Sequence, residues 1–489
     1  MRIRSLCPSV RITLPCLLAS TVFFAPIRLK ASPETKVPSA ASAVQVEWTS
    51  ENGNVLLNGQ IFHIKGVNWF GLETPGAKLL GLNQRSMGDL LDWLQAEGFN
   101  ALRVPLSVQW ALNPEAIPKD QNFHKEDDEL RGKPWGAMLA KLIRESAKRG
   151  IVLMLDLHTI SAGDNLSTKL WYNEHYSVCD FRRAWQLIID SYGDHWNILG
   201  LDLKNELQDV TWGTAALTKE SPVSCSPNVD DPDLSPPHDG RHPTDWRQEV
   251  ERLIPELAVP HRSPEGHIFS FRGLYIVQGM HQGQIGSLAY PYDQPKAYSY
   301  WYGGNLEGLR HYPLRLPASL QSKIAYTIHT YGPSVWPQSH FESLDAYHHP
   351  ERLAEVFELQ SGFIEPLTHR ALLIGEWGGR NEILKGESNP VKNGKDDAAI
   401  LDGIADWYRD HCIADGFWWA LNPESSDTGG LFQDESYSAP VAHRLARAHQ
   451  LQPYPSVISV SAQQDLVFTQ PGSFSEGCLS SQAQDHKAP

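Results

Sequence analysis

Positive charge is in short supply in this chain. Its 42 Lys and Arg are outnumbered by 57 Asp and Glu, which leaves a formal charge of −15. Nucleic acid, whose binding is dominated by cations set against phosphates, is thereby disfavoured as a partner. No arginine-rich tract or zinc-finger spacing offsets the imbalance. Cysteine is scarce as well, at six in 489 residues, and none forms C-x-x-C or a His/Cys cluster, so no structural metal is expected. No G-x-G-x-x-G follows the first β-rich apolar segment, which weakens a dinucleotide-binding reading. That segment also lacks a His-x-His pair: His63 stands inside it rather than at its exit, which disfavours a metal-dependent barrel hydrolase.

An apolar run long enough to span a membrane is missing too. ITLPCLLASTVFFAPI (12–27) is short for a span and is interrupted by Pro15. It follows the basic MRIRSLCPSVR and precedes a Pro/Ser/Ala-rich stretch ending SAASA, the order of a secretory signal. The expected organisation is a leader over 1–43, cut after Ala43 or Ala31, one large domain over 44–452, and a polar tail over 453–489. The mature protein is expected outside the cell or in a periplasm, with no stable membrane association. Four cysteines then remain: Cys179, Cys225, Cys412 and Cys478. Export permits disulfides, and the three possible pairings stay open.

What is present is a globular composition, 41% hydrophobic and 20% charged, with sixteen each of Trp, Tyr and Phe. Eight short apolar β-rich segments recur: 61–67, 99–105, 151–157, 198–204, 273–279, 323–329, 371–377 and 416–422. Near-continuous apolar runs fit parallel strands covered by helices. Between them, 86–98, 135–150, 180–193, 244–257 and 396–411 read as helices, the fourth up to Pro255. Together they predict an α/β fold, a (β/α)8 TIM barrel with loop insertions at its C-terminal face; an open doubly wound sheet is the alternative. The Pro-, Ser- and Asp-rich 214–243 reads as an insertion after strand four.

Such barrels build their sites at the C-terminal strand ends. Those ends carry Asn68 and Trp69, Arg103, His158, Asn205 and Glu206, His329 with Tyr331, Glu376, and Trp419. Glu206 closes strand four and Glu376 closes strand seven. In a barrel these strands face each other across the mouth, so the two carboxylates can flank one bond.

The stretches KGVNWFGLET (65–74), NALRVPLS (100–107), LDLH (155–158), KLWY (169–172), GLDLKNELQD (200–209), YWYGGNLEGLRHYP (300–313), IHTYGPSVWPQ (328–338), GEWGG (375–379) and WALNPESSDTGGLF (419–432) occur in this order. With them the chain, over about 60 to 435, resembles glycoside hydrolase family 5 (clan A), and within it the secreted bacterial endoglucanases. The resemblance implies a retaining endo-β-1,4-glucanase acting on a β-glucan polysaccharide, with Glu206 as general acid/base and Glu376 as nucleophile. Arg103, His158, Asn205, His329 and Tyr331 would support the pair, Arg103 and Tyr331 by favouring the Glu376 anion and Asn205 by binding the sugar 2-hydroxyl. Trp419 would floor the central sugar site, and Trp69, Trp171 and Trp301 would extend the platform, whereas Trp336, Trp377 and Trp418 read as packing residues. No cofactor and no metal is implied, and a monomer is expected. Leu207 stands where relatives carry proline, Leu157 where they often carry Arg, and Tyr302 where close relatives show Trp. These departures bear on substrate preference, leaving a sibling activity on mannan, xyloglucan, xylan or mixed-linkage glucan, or a non-catalytic sugar-binding barrel, as alternatives. The tail is too short and too poor in aromatics for a separate carbohydrate-binding module.

Overall fold

The computed structural model describes residues 35–36, 46–164, 169–215, 225, 243–281, 284–287, 298–380, 397–461 and 466–469. The leader region apart from 35–36, most of the 214–243 insertion, Cys478 and the end of the tail lie outside them. Eight parallel strands close into a barrel in strict chain order. They are β1 (Lys65–Asn68), β2 (Ala101–Ser107), β3 (Val152–Thr159), β4 (Ile198–Asp202), β5 (Leu274–Gln278), β6 (Ile324–Tyr331), β7 (Leu372–Gly378) and β8 (Gly416–Trp418). All eight are buried along their whole length except at His158, as expected of strands wrapped by helices.

Five helices match the expected amphipathic segments: α1 (Met87–Ala96), α2 (Trp135–Lys148), α3 (Val178–Tyr192), α4 (Trp246–Leu257) and α5 (Asp397–Asp410). Ser86 caps α1 by accepting from the Asp89 amide, and α3 opens on a reciprocal box between Ser177 and Asp180. Helix α4 does not stop at Pro255; it continues to Leu257, held by an apolar face that includes the buried Leu253, Ile254 and Leu257. A further helix, α6 (Ala442–Leu451), follows the barrel.

The first expected strand is divided. Gln60–Ile61 belongs to a three-stranded antiparallel sheet with Trp48–Glu51 and Asn54–Leu57, and the barrel strand begins only at Lys65. Between them Phe62 and Ile64 turn inward to plug the barrel's N-terminal end. The polar tail is also part of the fold at its start. Val457–Val460 and Leu466–Thr469 pair as a hairpin, and Thr35–Lys36 adds to its outer strand. Phe468 stacks on Phe62 at 5.8 Å, and Ser456 bonds the backbone of His63 in both directions. Cys179 in α3 is bonded to Cys225, with 5.5 Å between α-carbons, and Cys412 is likewise disulfide-bonded.

Strand register fixes which side chains meet at the mouth. Asn68 lies beside Arg103, Asp156 beside Asp202, and His329 beside Glu376. Gly66 is demanded by packing, since a Cβ there would fall 2.1 Å from the Phe417 ring. If the tail hairpin is structural, Phe468→Ala should destabilise the protein by about 3 kcal/mol, the usual scale for emptying a buried ring site. Urea unfolding would measure it, and a midpoint unchanged from the parent would show the hairpin to be dispensable.

Candidate active site

The mouth is organised around Arg103, which is fully buried. A lone buried guanidinium is prohibitively costly, so its donors must be matched by acceptors. Nε donates to Asp202 at 2.9 Å, Nη1 to Glu376 at 2.6 Å and Asn68 Oδ1 at 3.1 Å, and Nη2 to Asn205 Oδ1 at 2.8 Å. Nη2 also lies 3.0 Å from Asp156. Asn68 turns its amide the other way, toward the carbonyls of Gly375 and Trp418, and so ties β1 to β7 and β8. Burial raises Asp156 to about 6 and Asp202 to about 7, against the pull of Arg103. A second buried cation, Lys204, donates to the carbonyls of His158 at 3.1 Å and Asn205 at 2.5 Å; burial lowers it to about 8.

Glu206 follows β4 in a left-handed backbone conformation, φ 45°. Its Oε1 lies 3.0 Å from His329 Nδ1, which is also 3.4 Å from Glu376 Oε2. One oxygen of each glutamate and a nitrogen of His329 all lie within 4.8 Å of one another. Two carboxyls brought this close can flank a single bond. The same three groups are the set most able to approach a cation among the described residues. Arg103 already compensates Glu376, however, and its charge opposes a second cation there.

The two carboxyls differ in their surroundings. Glu206 is driven well above the ordinary range by burial first, then by the negative Glu376 and Asp427. Glu376 is raised by burial too, which departs from the expectation that its anion is simply favoured. Arg103 and a hydrogen bond donated by the Tyr331 hydroxyl pull it back. Between the two, the carboxyl that holds Arg103 and the tyrosine proton is the one that keeps its negative charge. Burial lowers His158 to about 3 and His329 well below its usual value, so both rings are neutral. His158 Nδ1 is 2.7 Å from Asp156, and its Nε2 faces the Asn205 amide at 3.3 Å. Asn205 Oδ1 accepts from Arg103, so its NH2 group faces the ring and His158 carries its proton on Nδ1.

Glu206, Glu376, Arg103, His158, Asn205, His329 and Tyr331 are thus joined in one network. Of the four tryptophans expected to form a platform, Trp419 directly follows β8 and retains 9% exposure, stacked near-parallel with His158 and Phe70. Trp301, 7% exposed, sets its edge against Tyr331 at 5.4 Å. Trp69 and Trp171 do not reach a surface: both are 0% exposed. Trp69 Nε1 donates to the Leu80 carbonyl and Trp171 packs on Trp246, so neither ring can face a sugar. Trp377 and Trp418 pack edge to face as expected, but Trp336 is 65% exposed rather than buried.

Sequence reasoning left Asp156, Asp202, Lys204 and Gln278 without a role. Each is a polar residue at or just past the end of an apolar strand; alternation with His158 places Asp156 on the inward face and alternation with Glu206 places Asp202 and Lys204 there, while Gln278 ends β5. That alternation was the signal available.

The chain matches the family model described as cellulase (glycosyl hydrolase family 5) over residues 59–425. It is 30% identical over 418 residues to an endoglucanase of Paenibacillus polymyxa, covering 84% of this chain and 89% of the relative. It is also 30% identical over 379 residues to the major extracellular endoglucanase of Xanthomonas campestris pv. campestris, covering 77% of this chain and 65% of the relative. Among solved structures, an endocellulase variant from Pyrococcus horikoshii in complex with cellotetraose superposes with a TM-score of 0.64 at 27% identity, covering 83% of this chain and 98% of that one. The catalytic domain of the Xanthomonas enzyme gives 0.63 at 27%, over 81% and 96%. The matched residues run from before β1 to beyond β8 and take in both glutamates, so the chain belongs to glycosyl hydrolase family 5.

Proposed function

We propose that this protein is an exported endo-β-1,4-glucanase that cleaves internal bonds of cellulose or a soluble β-glucan by double displacement. The observation that carries the reading is the close approach of Glu206 and Glu376, within 4.8 Å of one another, in unlike electrostatic surroundings. In the first step a Glu376 oxygen bonds to the anomeric carbon while the glycosidic C–O bond breaks, and the Glu206 proton passes to the departing oxygen. In the second step water gives a proton to Glu206, its oxygen bonds to the anomeric carbon, and Glu376 departs. The anomeric configuration is retained.

Arg103 and Tyr331 hold the nucleophile as an anion and aim it, since each binds a different oxygen of Glu376. Asn205 keeps one amide hydrogen beyond the one used on His158, for a sugar hydroxyl beside the reacting carbon. The Trp419 face supplies the flat apolar surface that pyranose C–H groups pack upon. Export rests on the leader pattern of the sequence and on the extracellular relative of Xanthomonas. Among the described residues no helix is long and apolar enough to cross a membrane.

Reducing-sugar release should be largest on carboxymethyl cellulose or mixed-linkage glucan and insensitive to chelator. Greater release from mannan or xylan would replace the substrate, and loss with chelator would replace the mechanism. Glu206→Gln should lower kcat by about 10²–10⁴-fold on the polysaccharide. With added azide, Glu206→Ala should form a β-glycosyl azide and Glu376→Ala an α-glycosyl azide, which nuclear resonance distinguishes. Identical products from the two variants would reverse or void the assignment.

The active form carries a single proton on the pair, so the acid limb of the rate profile reports uptake of a second. Burial raises both groups, which places that limb above the ordinary glutamate value of about 4.3. Tyr331→Phe removes a donor that favours the Glu376 anion and should move the acid limb to higher pH. A limb that stays put or moves down would remove Tyr331 from this role.

A further inference from the structure

We infer that Gln278 is a positioning residue: its amide holds the backbone of Glu206 and dictates that the proton of neutral His329 sits on Nδ1, where it is donated to the acid/base carboxyl. This rests on the reading of Glu206 given above.

Gln278 ends β5 and is fully buried, one strand from Glu206 on one side and from His329 on the other. Its Oε1 accepts the backbone N–H of Glu206. An N–H can only donate, so this contact identifies the oxygen end of the amide. The nitrogen end then lies 3.0 Å from His329 Nε2 and 3.5 Å from Asp202 Oδ2. The carboxylate confirms the orientation independently, because it calls for a donor. An NH2 group facing His329 Nε2 needs a lone pair there. The neutral ring must therefore carry its hydrogen on Nδ1, which points to Glu206 Oε1. The Glu206 proton is then confined to its other oxygen, free to meet the leaving group.

The niche is built for this amide. A Cβ on Gly303 would fall 2.6 Å from Gln278 Oε1, and a Cβ on Gly375 would fall 3.2 Å from His329 Nε2, so glycine at both positions leaves room for the pair. The left-handed backbone of Glu206 is costly for a side chain other than glycine, and the bond from its N–H to Gln278 helps to hold it.

The charged groups around His329 agree with a neutral ring of fixed tautomer. Glu206 faces it from the end of β4, Glu376 from β7 and Tyr331 from its own strand. Arg103 of β2 acts on it at longer range and disfavours a positive imidazole, while the neutral His158 of β3 adds no charge. Asp202 reaches it only through Gln278. Lys204 and Asp427 act on the adjoining Glu206.

Nitrogen nuclear resonance of the full-length enzyme with labelled histidine tests this directly, the His329 signals being identified by their loss in His329→Asn. His329 should show protonated Nδ1 and bare Nε2 between about pH 5 and 8. Gln278→Glu places a carboxylate against Nε2 and should protonate it. The resulting positive ring beside Glu206 favours the glutamate anion, so the basic limb of kcat should fall by about one pH unit, a tenfold loss beyond it, with KM changed less than twofold. Gln278→Met, similar in volume without the amide, should lower kcat and leave KM. A protonated Nε2 in the parent enzyme, or a Gln278→Glu protein with parental His329 signals and pH profile, overturns the inference. The resonance readout does not depend on turnover, so it stands apart from the catalytic role of Glu206, which the azide products test.

Discussion

The site depends on the burial of one guanidinium. Arg103 is beyond the reach of solvent, and it is tolerated only because Asp156, Asp202 and Glu376 surround it. Reciprocally, those carboxylates are tolerated only because Arg103 is there, with Lys204 at the edge of the same cluster. A buried ion cluster of this kind is weak as a source of stability but strict about geometry, since each donor direction of a planar fork must meet its acceptor. Five of the eight strands contribute to it directly: β1 through Asn68, β2 through Arg103, β3 through Asp156, β4 through Asp202 and β7 through Glu376. Closure of the barrel and aim of the Glu376 carboxyl are in this sense one constraint.

Around that charge, uncharged rings are held in defined proton states by amides. Asn205 sits between Arg103 and His158 as Gln278 sits between the Glu206 backbone and His329. In each case the oxygen end of the amide is claimed by an obligatory donor, so its nitrogen end must face the ring. The outcome is two neutral imidazoles in the cluster, neither adding a positive charge that would draw the proton from Glu206. A carboxyl raised by burial can thus share a site with an arginine.

Much of this architecture is legible in the chain. Apolar strands of uniform burial announce themselves by composition, and all eight fall on the apolar segments the sequence indicates, the first only from Lys65 onward. The two glutamates and the residues that bind them directly stand at strand ends, where barrel geometry puts function. What escaped was set by neighbours distant in sequence. Phe62 and Ile64 look like strand residues but plug the barrel floor, because Phe468 arrives from the far end of the chain to cover them. Pro255 looks like a helix end, yet tertiary packing of Leu257 carries the helix past it. Tryptophan was the least readable residue, since the same ring serves a sugar or a core. Trp69 and Trp171 are enclosed by Leu80 and Trp246, and only the fold decides that.

The antiparallel sheet of residues 48–61 and the paired strands Val457–Val460 and Leu466–Thr469 both lie against the N-terminal ends of the strands, where Ser456 bonds Asn100 ahead of β2 and Ile458 abuts Gly150 ahead of β3. The mouth that holds Glu206 and Glu376 opens at the opposite pole. Material joined to the chain just beyond residue 469 therefore starts from the floor, so an immobilising support or a fused module can grip the molecule there, at the pole away from Glu206 and Glu376.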